Sequence, residues 1–236
     1  MTEQTHTRTA SSRPAAASEA IEDYAKAIFT LARRGGAPVA TSALAERLDV
    51  SPSSVTAMLK RLDELGLASY VPYRGATLTP AGERVALEVI RHHRLIEAFL
   101  SEALDMPWDR VHEEAEVLEH YISEDLERLI AERLGNPRFD PHGDPIPTAE
   151  LRLGADPTTS LAALEPGKSA RFARISDSDP EVLRYLARLG ITPGVTIRVR
   201  RIEPFGGPVM VAVGRRRHAL GAELAEKMRV VAEEAG

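Results

Sequence analysis

The stretch SPSSVTAMLKRLDELG, Ser51 to Gly66, carries its own boundaries. Ser51 suits an N-cap, where a hydroxyl accepts one of the unpaired N–H groups of the first turn, and Pro52 suits the first helical position, where no N–H is needed. Val55, Met58, Leu59 and Leu62 recur at helical spacing and supply one apolar face, and Gly66 closes the helix. The other side carries Pro52, Ser53, Ser54, Thr56 and Lys60. The spacing predicts a helix that packs on one side and offers small polar groups and a cation on the other.

What flanks this helix decides the fold. Upstream, IEDYAKAIFTLARR repeats apolar residues at Ile21, Tyr24, Ala25, Ile28 and Leu31 and stops at Gly35-Gly36, and TSALAERLDV sets Leu44, Ala45 and Leu48 on one face. Downstream, LASYVPYRGATLTPAG has short apolar runs on either side of Arg74-Gly75, the pattern of a small hairpin. Three helices and a hairpin are the order of a winged helix-turn-helix, in which the amino-terminal residues of the third helix enter the major groove of DNA. Ser51, Pro52, Ser53, Ser54 and Thr56 are then the base- or phosphate-facing candidates, and Lys60, Arg61 and Arg74 the phosphate-neutralising ones. Simple capping is the competing role for the hydroxyls, and a wing carrying Arg74 weighs against it.

The chain has 236 residues, a formal charge of −5 and no cysteine. Without thiols there is no disulfide framework and no thiolate metal site, so any metal must be held by His, Asp and Glu. Charge is uneven: residues 1–80 carry 9 Lys/Arg against 8 Asp/Glu, residues 101–150 carry 4 against 14, and residues 151–236 carry 14 against 10. The near-neutral amino-terminal part leaves nucleic acid open as a partner, and the acidity gathers in the middle. No apolar run is long enough to span a membrane and the start lacks a secretory signal, so a cytoplasmic protein without a membrane partner is expected. Residues 1–18, rich in Thr, Ser and Ala, read as a disordered leader.

The acidic middle contains RVHEEAEVLEH, Arg110 to His120. At about 100° per residue, His112, Glu116, Glu119 and His120 fall within an arc of roughly 100°. The spacing predicts one long helix over 108–135, with Val111, Ala115, Leu118, Ile122, Leu126 and Leu129 as its buried stripe, following a helix from about Ala81 that offers His93 and Glu97 one turn apart. Two ligand sets on adjacent helices, with Asp23 near the start of the first helix, can hold divalent cations. A solvated charged face is the plainer reading of any one of these residues. HEEAE is not the zinc-protease motif, because Glu116 stands where a second His is needed, and no di-iron Glu-x-x-His is formed.

NPRFDPHGDPIPTAE collects four prolines and a glycine and reads as a rigid loop. Beyond about Leu161, RFARI, VTIRVRRI and PVMVAVG read as strands of a small barrel, DPEVLRYLARLG as a short helix, and HALGAELAEKMRVV as a helical turn with a last strand. Arg215, Arg216 and Arg217 read as a solvated turn that is also able to touch phosphate. The expected division is a leader over 1–18, a winged helix-turn-helix over 19–80, a helical dimerisation and metal-binding domain over 81–150 and a small β-barrel domain over 151–236. The fold class is mainly α with small β parts.

Taken together and in order, DYAKAIFTL, AERLDVSPSSVTAMLKRLDELGL, YRGATLTPAG, RHHRLIEAFL, HEEAEVLEH and DPHGDPIP resemble the iron- and manganese-dependent repressors of the diphtheria toxin repressor family, over nearly the whole chain. The resemblance implies that the domain over 151–236 is SH3-like (FeoA-like), and that the protein is a homodimer that needs metal to bind double-stranded, palindromic operator DNA. It implies a primary metal site of Asp23, Glu116, Glu119 and His120, and an ancillary site of His93, Glu97 and His112 with Asp177 as a further candidate ligand. Iron-type members have Met and Cys where this chain has Asp23 and Glu116; the two carboxylates resemble the manganese type and suit Mn²⁺, with Fe²⁺ the alternative and Zn²⁺ or Co²⁺ as substitutes in vitro. Lys26, where manganese-type proteins tend to carry a second carboxylate, favours two separated sites over a close pair. The expected function is a metal-dependent repressor of metal-ion homeostasis and not an enzyme. The competing readings are a winged-helix regulator that ignores metal, and a metal-dependent hydrolase or metal-storage protein.

Overall fold

The structure is a computed structural model that describes residues 15–176 and 179–233. The chain divides into two compact units, Met1–Val89 and Ile90–Gly236.

In the first unit, helices α1 (Ala15–Gly35), α2 (Thr41–Leu48) and α3 (Pro52–Glu64) precede a hairpin of β1 (Ala68–Val71) and β2 (Gly75–Leu78). The α3 start is as the sequence reads: the Ser51 side chain accepts from the Ser54 N–H at 3.1 Å, and Pro52 opens the helix. Val55, Leu59 and Leu62 pack with Tyr24, Ile28 and Leu44 in one core. The hairpin gains a third rung from Val39, whose N–H and C=O both pair with Ala76. That rung requires Gly75, since a Cβ there would lie 2.2 Å from the Val39 carbonyl oxygen. Helix α1 begins at Ala15, so the expected leader over 1–18 overlaps its first turn; residues 1–14 lie outside the described ones.

Helix α4 (Pro80–Leu104) opens with Pro80 behind Thr79, whose hydroxyl accepts from the Gly82 N–H at 3.2 Å. The second unit continues with α5 (Val111–Leu118) and α6 (Glu124–Arg133), and this corrects the single helix expected over 108–135. The chain turns after Glu119 because Ser123 starts a new helix: its hydroxyl accepts from the Leu126 N–H at 3.3 Å, and Glu124, Asp125 and Glu127 place negative charge in the first turn. The apolar stripe is broken accordingly. Val111 and Ala115 are buried, whereas Leu118, Leu126 and Leu129 are exposed.

A loop over 136–158 leads into a six-stranded antiparallel sheet in the order β3-β8-β4-β5-β6-β7. Its strands are β3 (Thr159–Ser160), β4 (Ser169–Arg174), β5 (Thr196–Ile202), β6 (Val209–Val213), β7 (Arg216–Leu220) and β8 (Arg229–Ala232), with α7 (Pro180–Leu189) between β4 and β5 and α8 (Ala222–Lys227) between β7 and β8. Phe172, Leu183, Leu186, Ile197, Val211 and Leu220 are among the residues of its core. The solvated turn expected at Arg215–Arg217 is corrected: Arg216 and Arg217 belong to β7, with Arg217 paired to Ala212 and His218 to Val211. Strand formation there is tertiary, because the exposed arginines are followed by no large apolar residue until Leu220.

The loop of Asp140–Pro147 is fastened to the sheet. The Ile175 N–H donates to the His142 carbonyl at 3.2 Å, and Arg174 pairs with Asp144 at 3.0 Å. Gly143, at φ 87°, lies so close to β4 that a Cβ would come within 1.8 Å of the Ala173 carbonyl oxygen.

Candidate metal centre

Helix α4 presents His93 and Glu97 on one face, one turn apart, and α5 presents His112 and Glu116 toward them, with Glu119 at its carboxy-terminal cap and His120 following. Nε2 of His93 lies 3.0 Å from Glu97 Oε1 and 3.0 Å from His112 Nδ1, and His112 Nδ1 lies 3.4 Å from the same Glu97 oxygen. Donor atoms bound to one first-row ion at about 2.1 Å stand roughly 3.0–3.4 Å apart in octahedral or tetrahedral arrangement. These three side chains therefore fit a divalent cation as they stand.

The other nitrogen of the same ring serves the second set. Nδ1 of His93 is hydrogen-bonded to the Glu119 carboxylate and lies 3.8 Å from Glu116 Oε1. His120 Nε2 lies 3.6 Å from the remaining Glu119 oxygen, and His112 Nε2 lies 3.7 Å from Glu116. The ligand sets expected to be separate thus meet at His93, which faces Glu97 with one nitrogen and Glu119 with the other. Both carboxylates can be served at once only if the ring carries both protons, and a cation can replace either proton.

Burial sharpens the chemistry. The Glu97 and Glu119 side chains are wholly buried, while Glu116 is 41% exposed. Burial alone would raise the Glu97 pKa, but the His93 charge and hydrogen bonding from His112, His142 and His93 hold the carboxyl well below the usual range. It stays a carboxylate, which is the form that binds metal. His92 is a support and not a ligand: its Nδ1 lies 3.1 Å from the Glu119 carbonyl and its Nε2 3.2 Å from the Glu127 carboxylate, which fixes the end of α5.

Of the other expected ligands, Asp23 lies on α1, in the first unit. Asp177 lies outside the described residues. The expected DNA-facing residues sit at the start of α3 and on the wing. Ser51, Pro52, Ser53, Ser54, Lys60, Arg61 and Arg74 are exposed and Thr56 half-buried. The Ser51 hydroxyl lies 2.8 Å from those of Ser53 and Ser54, and Thr56 donates to the Pro52 carbonyl at 2.9 Å, so part of this hydroxyl set also shapes the first turn. Sequence reasoning missed His142 and Asp140, both buried, with His142 Nδ1 3.6 Å from Glu97 Oε2. The signal was present in DPHGDPIP, where a His stands between two Asp residues in a proline-stiffened loop.

Comparison with known proteins assigns the same parts. Residues 17–76 match the domain described as the iron dependent repressor, N-terminal DNA binding domain. Residues 79–148 match the iron dependent repressor, metal binding and dimerisation domain, and residues 159–232 match the FeoA domain. The chain is similar to the iron-dependent repressor IdeR of Mycobacterium tuberculosis, 32% identical over 221 residues that span 89% of this chain and 95% of the relative. It is also similar to the diphtheria toxin repressor of Corynebacterium glutamicum, 34% identical over 75% of this chain and 82% of the relative. Among solved structures it is similar to a manganese-dependent transcriptional repressor in complex with manganese, at a TM-score of 0.84 and 40% identity over 90% of this chain and all of that one. The IdeR of T. acidophilum superposes at a TM-score of 0.74 with 31% identity, over 90% of this chain and 97% of that one. The DNA-binding domain, the metal-binding and dimerisation domain and the FeoA domain thus follow in the order of a known lineage, and the chain belongs to the iron- and manganese-dependent repressor family of DNA-binding transcriptional regulators of metal homeostasis.

Proposed function

We propose that the chain is a Mn²⁺-activated repressor, with Fe²⁺ as the alternative metal, that binds a palindromic operator as a homodimer. The observation that carries the choice of metal is the donor set: His93, Glu97, His112, Glu116, Glu119 and His120 offer only nitrogen and oxygen, with Glu116 a carboxylate. Hard oxygen donors suit Mn²⁺ better than soft sulfur would. When bound, the ion supplies two positive charges and fixed ligand directions. Glu116 and Glu119 then no longer repel one another, and His93 gives up a proton from the nitrogen that becomes a ligand.

We propose further that Asp23 joins Glu116, Glu119 and His120, as the family resemblance implies. It is carried by α1, a helix of the DNA-binding unit, so a ligand there would let metal occupancy set the placement of α3. Ser53, Ser54 and Lys60 at the exposed start of α3 would meet the major groove, and Arg74 on the wing would meet phosphate. For dimerisation, the support lies in the exposed Val117, Leu118, Tyr121, Leu126 and Leu129 of α5 and α6, which a second copy would cover.

The test is anisotropy of a fluorescent duplex carrying the protein's own upstream region, at fixed salt, in chelator and then with Mn²⁺, Fe²⁺ or Zn²⁺. Binding only with metal, at lower concentration for Mn²⁺, is expected. Equal binding in chelator would select the metal-independent regulator.

A further inference from the structure

Residues 196–220 carry six arginines and a single carboxylate, Glu203, in a chain whose formal charge is −5. The antiparallel register fixes where they stand. Ser169, Arg198, Ala212 and Arg217 lie opposite one another across β4, β5, β6 and β7, and Arg201, Met210 and Ala219 form the next row. Residues directly opposite share a face of the sheet, and successive residues alternate between faces. The buried Ile197, Val199, Val211 and Leu220 take the core side, so Arg198, Arg201 and Arg217 belong to the outer side, where all three are exposed. Arg171, opposite Thr196, continues that face on β4, and Arg200, at the register shift after Val199, is exposed beside it.

Ion pairing within the chain does not account for them. Elsewhere in the same unit Arg91, Arg94, Arg174 and Arg184 each meet a carboxylate. Here Arg201 meets Glu203, but among the described residues no carboxylate pairs with Arg198, Arg200 or Arg217, nor with Arg215 and Arg216 where β7 begins. Charges on an edge strand keep sheets from pairing edge to edge, which suits Arg216 and Arg217 on β7. It does not explain Arg198, because β5 is an inner strand. Unpaired like charges held on one sheet repel one another in the free protein, and a polyanion relieves that repulsion. The side chains between the arginines are mostly small, Ser169, Thr196, Ala212 and Ala219, which leaves a flat surface open to a broad partner.

We propose that the outer face of β4–β7 is a second DNA surface, which takes the sugar-phosphate backbone of duplex DNA without reading its sequence. The cations of residues 196–220 are all arginines, whose forked guanidinium matches phosphate oxygens better than an ammonium does. With strands about 4.8 Å apart, Arg198 and Arg217 are anchored roughly 10 Å from each other, and a duplex carries one charge per about 1.7 Å of its axis, so several phosphates come within reach of one such row. The chain belongs to a DNA-binding family, and a duplex held by one surface is presented to another at high effective concentration. The final domain then adds affinity and salt dependence but no sequence preference. The proposal stands whichever metal activates the protein.

The experiment is anisotropy of the full chain with Mn²⁺ on a fluorescent duplex of its upstream region and on one of scrambled sequence, across a range of salt. It compares the wild type with Arg198→Ala/Arg217→Ala and with Arg184→Ala/Arg188→Ala, which removes the same charge from α7. All four arginines are exposed, so both variants are expected to fold, and thermal unfolding checks this. The expected result is a slope of log affinity against log salt lowered by about 0.9 for each sheet arginine, so about 1.8 per protomer, on both duplexes, with the α7 variant like the wild type. Equal slopes in all three proteins would overturn the second surface, and so would an equal loss in both variants, which is the effect of net charge alone. Light scattering without DNA covers the rival partner, the acidic residues 101–150 of another copy. A salt-sensitive association of the wild type that the sheet variant loses, with its DNA slope kept, would overturn the proposal in favour of that contact.

Discussion

In α4, Nε2 of His93 lies 3.0 Å from Oε1 of Glu97 while Nδ1 of the same ring is bonded to Glu119 on the neighbouring helix end. One imidazole thus links two sets of ligands, whereas Glu97 belongs to only one of them. His93→Gln is expected to weaken both high-affinity metal-binding steps by about tenfold or more, and Glu97→Gln to abolish one and spare the other. Calorimetric titration with Mn²⁺ reads this directly, and equal effects of the two substitutions would contradict it.

Glu116 is more exposed than His93, Glu97, His112, Glu119 or His120, so its replacement should change metal preference more than stability. Glu116→Cys is expected to move the ranking of activating metals from Mn²⁺ toward softer ions and Fe²⁺, with thermal unfolding of the metal-free protein little changed. Operator binding against each metal gives the ranking. If Mn²⁺ still leads as before and Fe²⁺ gains nothing, Glu116 does not select the metal.

Gly143 tests the support of the loop. An alanine there must adopt φ 87° and place its Cβ 1.8 Å from the Ala173 carbonyl oxygen, so loop and β4 have to separate. Gly143→Ala is expected to destabilise the metal-free protein by about 2 kcal/mol or more, measured by denaturant unfolding. Unchanged stability would mean that the loop is not fastened as described.

Asp156 gives a pH signature. Partial burial would raise its pKa, but hydrogen bonds from the Thr158 hydroxyl and amide and from Arg174, with the Arg174 charge, lower it to about 2 from an ordinary 3.8. A depressed carboxyl stabilises the fold above its unfolded pKa, and that contribution is lost as pH falls through the folded one. Asp156→Asn should therefore be less stable than the wild type at neutral pH, with the gap closing between pH 4 and 2. A gap that is constant with pH would exclude the ion pair as its cause.

Lys60 and Arg74 are exposed on α3 and the wing. If each neutralises one phosphate, Lys60→Ala and Arg74→Ala will each lower the slope of log affinity against log salt by about 0.9 per half-site, on any sequence. Ser53→Ala should instead change the preferred operator with the slope kept. A salt slope that does not move would remove these cations from the interface.

Much of the fold was legible where boundary and period agree. Ser51-Pro52 and the Val55, Leu59, Leu62 face fix α3 from local chemistry alone. The break between α5 and α6 was hidden because the apolar period runs on through Leu118, Ile122 and Leu126, and a period says nothing of where backbone bonds stop. The opposing signal, Ser123 followed by Glu124, Asp125 and Glu127, was in the sequence and is stronger than the period. His93, Glu97 and His112 were legible from helical spacing, but the double role of His93 was not, since it depends on how α4 and α5 pack. His142 stands 45 residues beyond Glu97 and reaches it through a loop fastened to α4 by Arg91 and Arg94 and to β4 by Ile175, contacts that no local pattern encodes.

The central claim is that metal and DNA sites are coupled, and reciprocity makes it measurable from the metal side. Mn²⁺ affinity should be titrated with and without a saturating operator duplex, at the same salt. The account predicts that DNA tightens Mn²⁺ binding by the same factor by which Mn²⁺ tightens DNA binding. Metal affinity unmoved by the operator would contradict it.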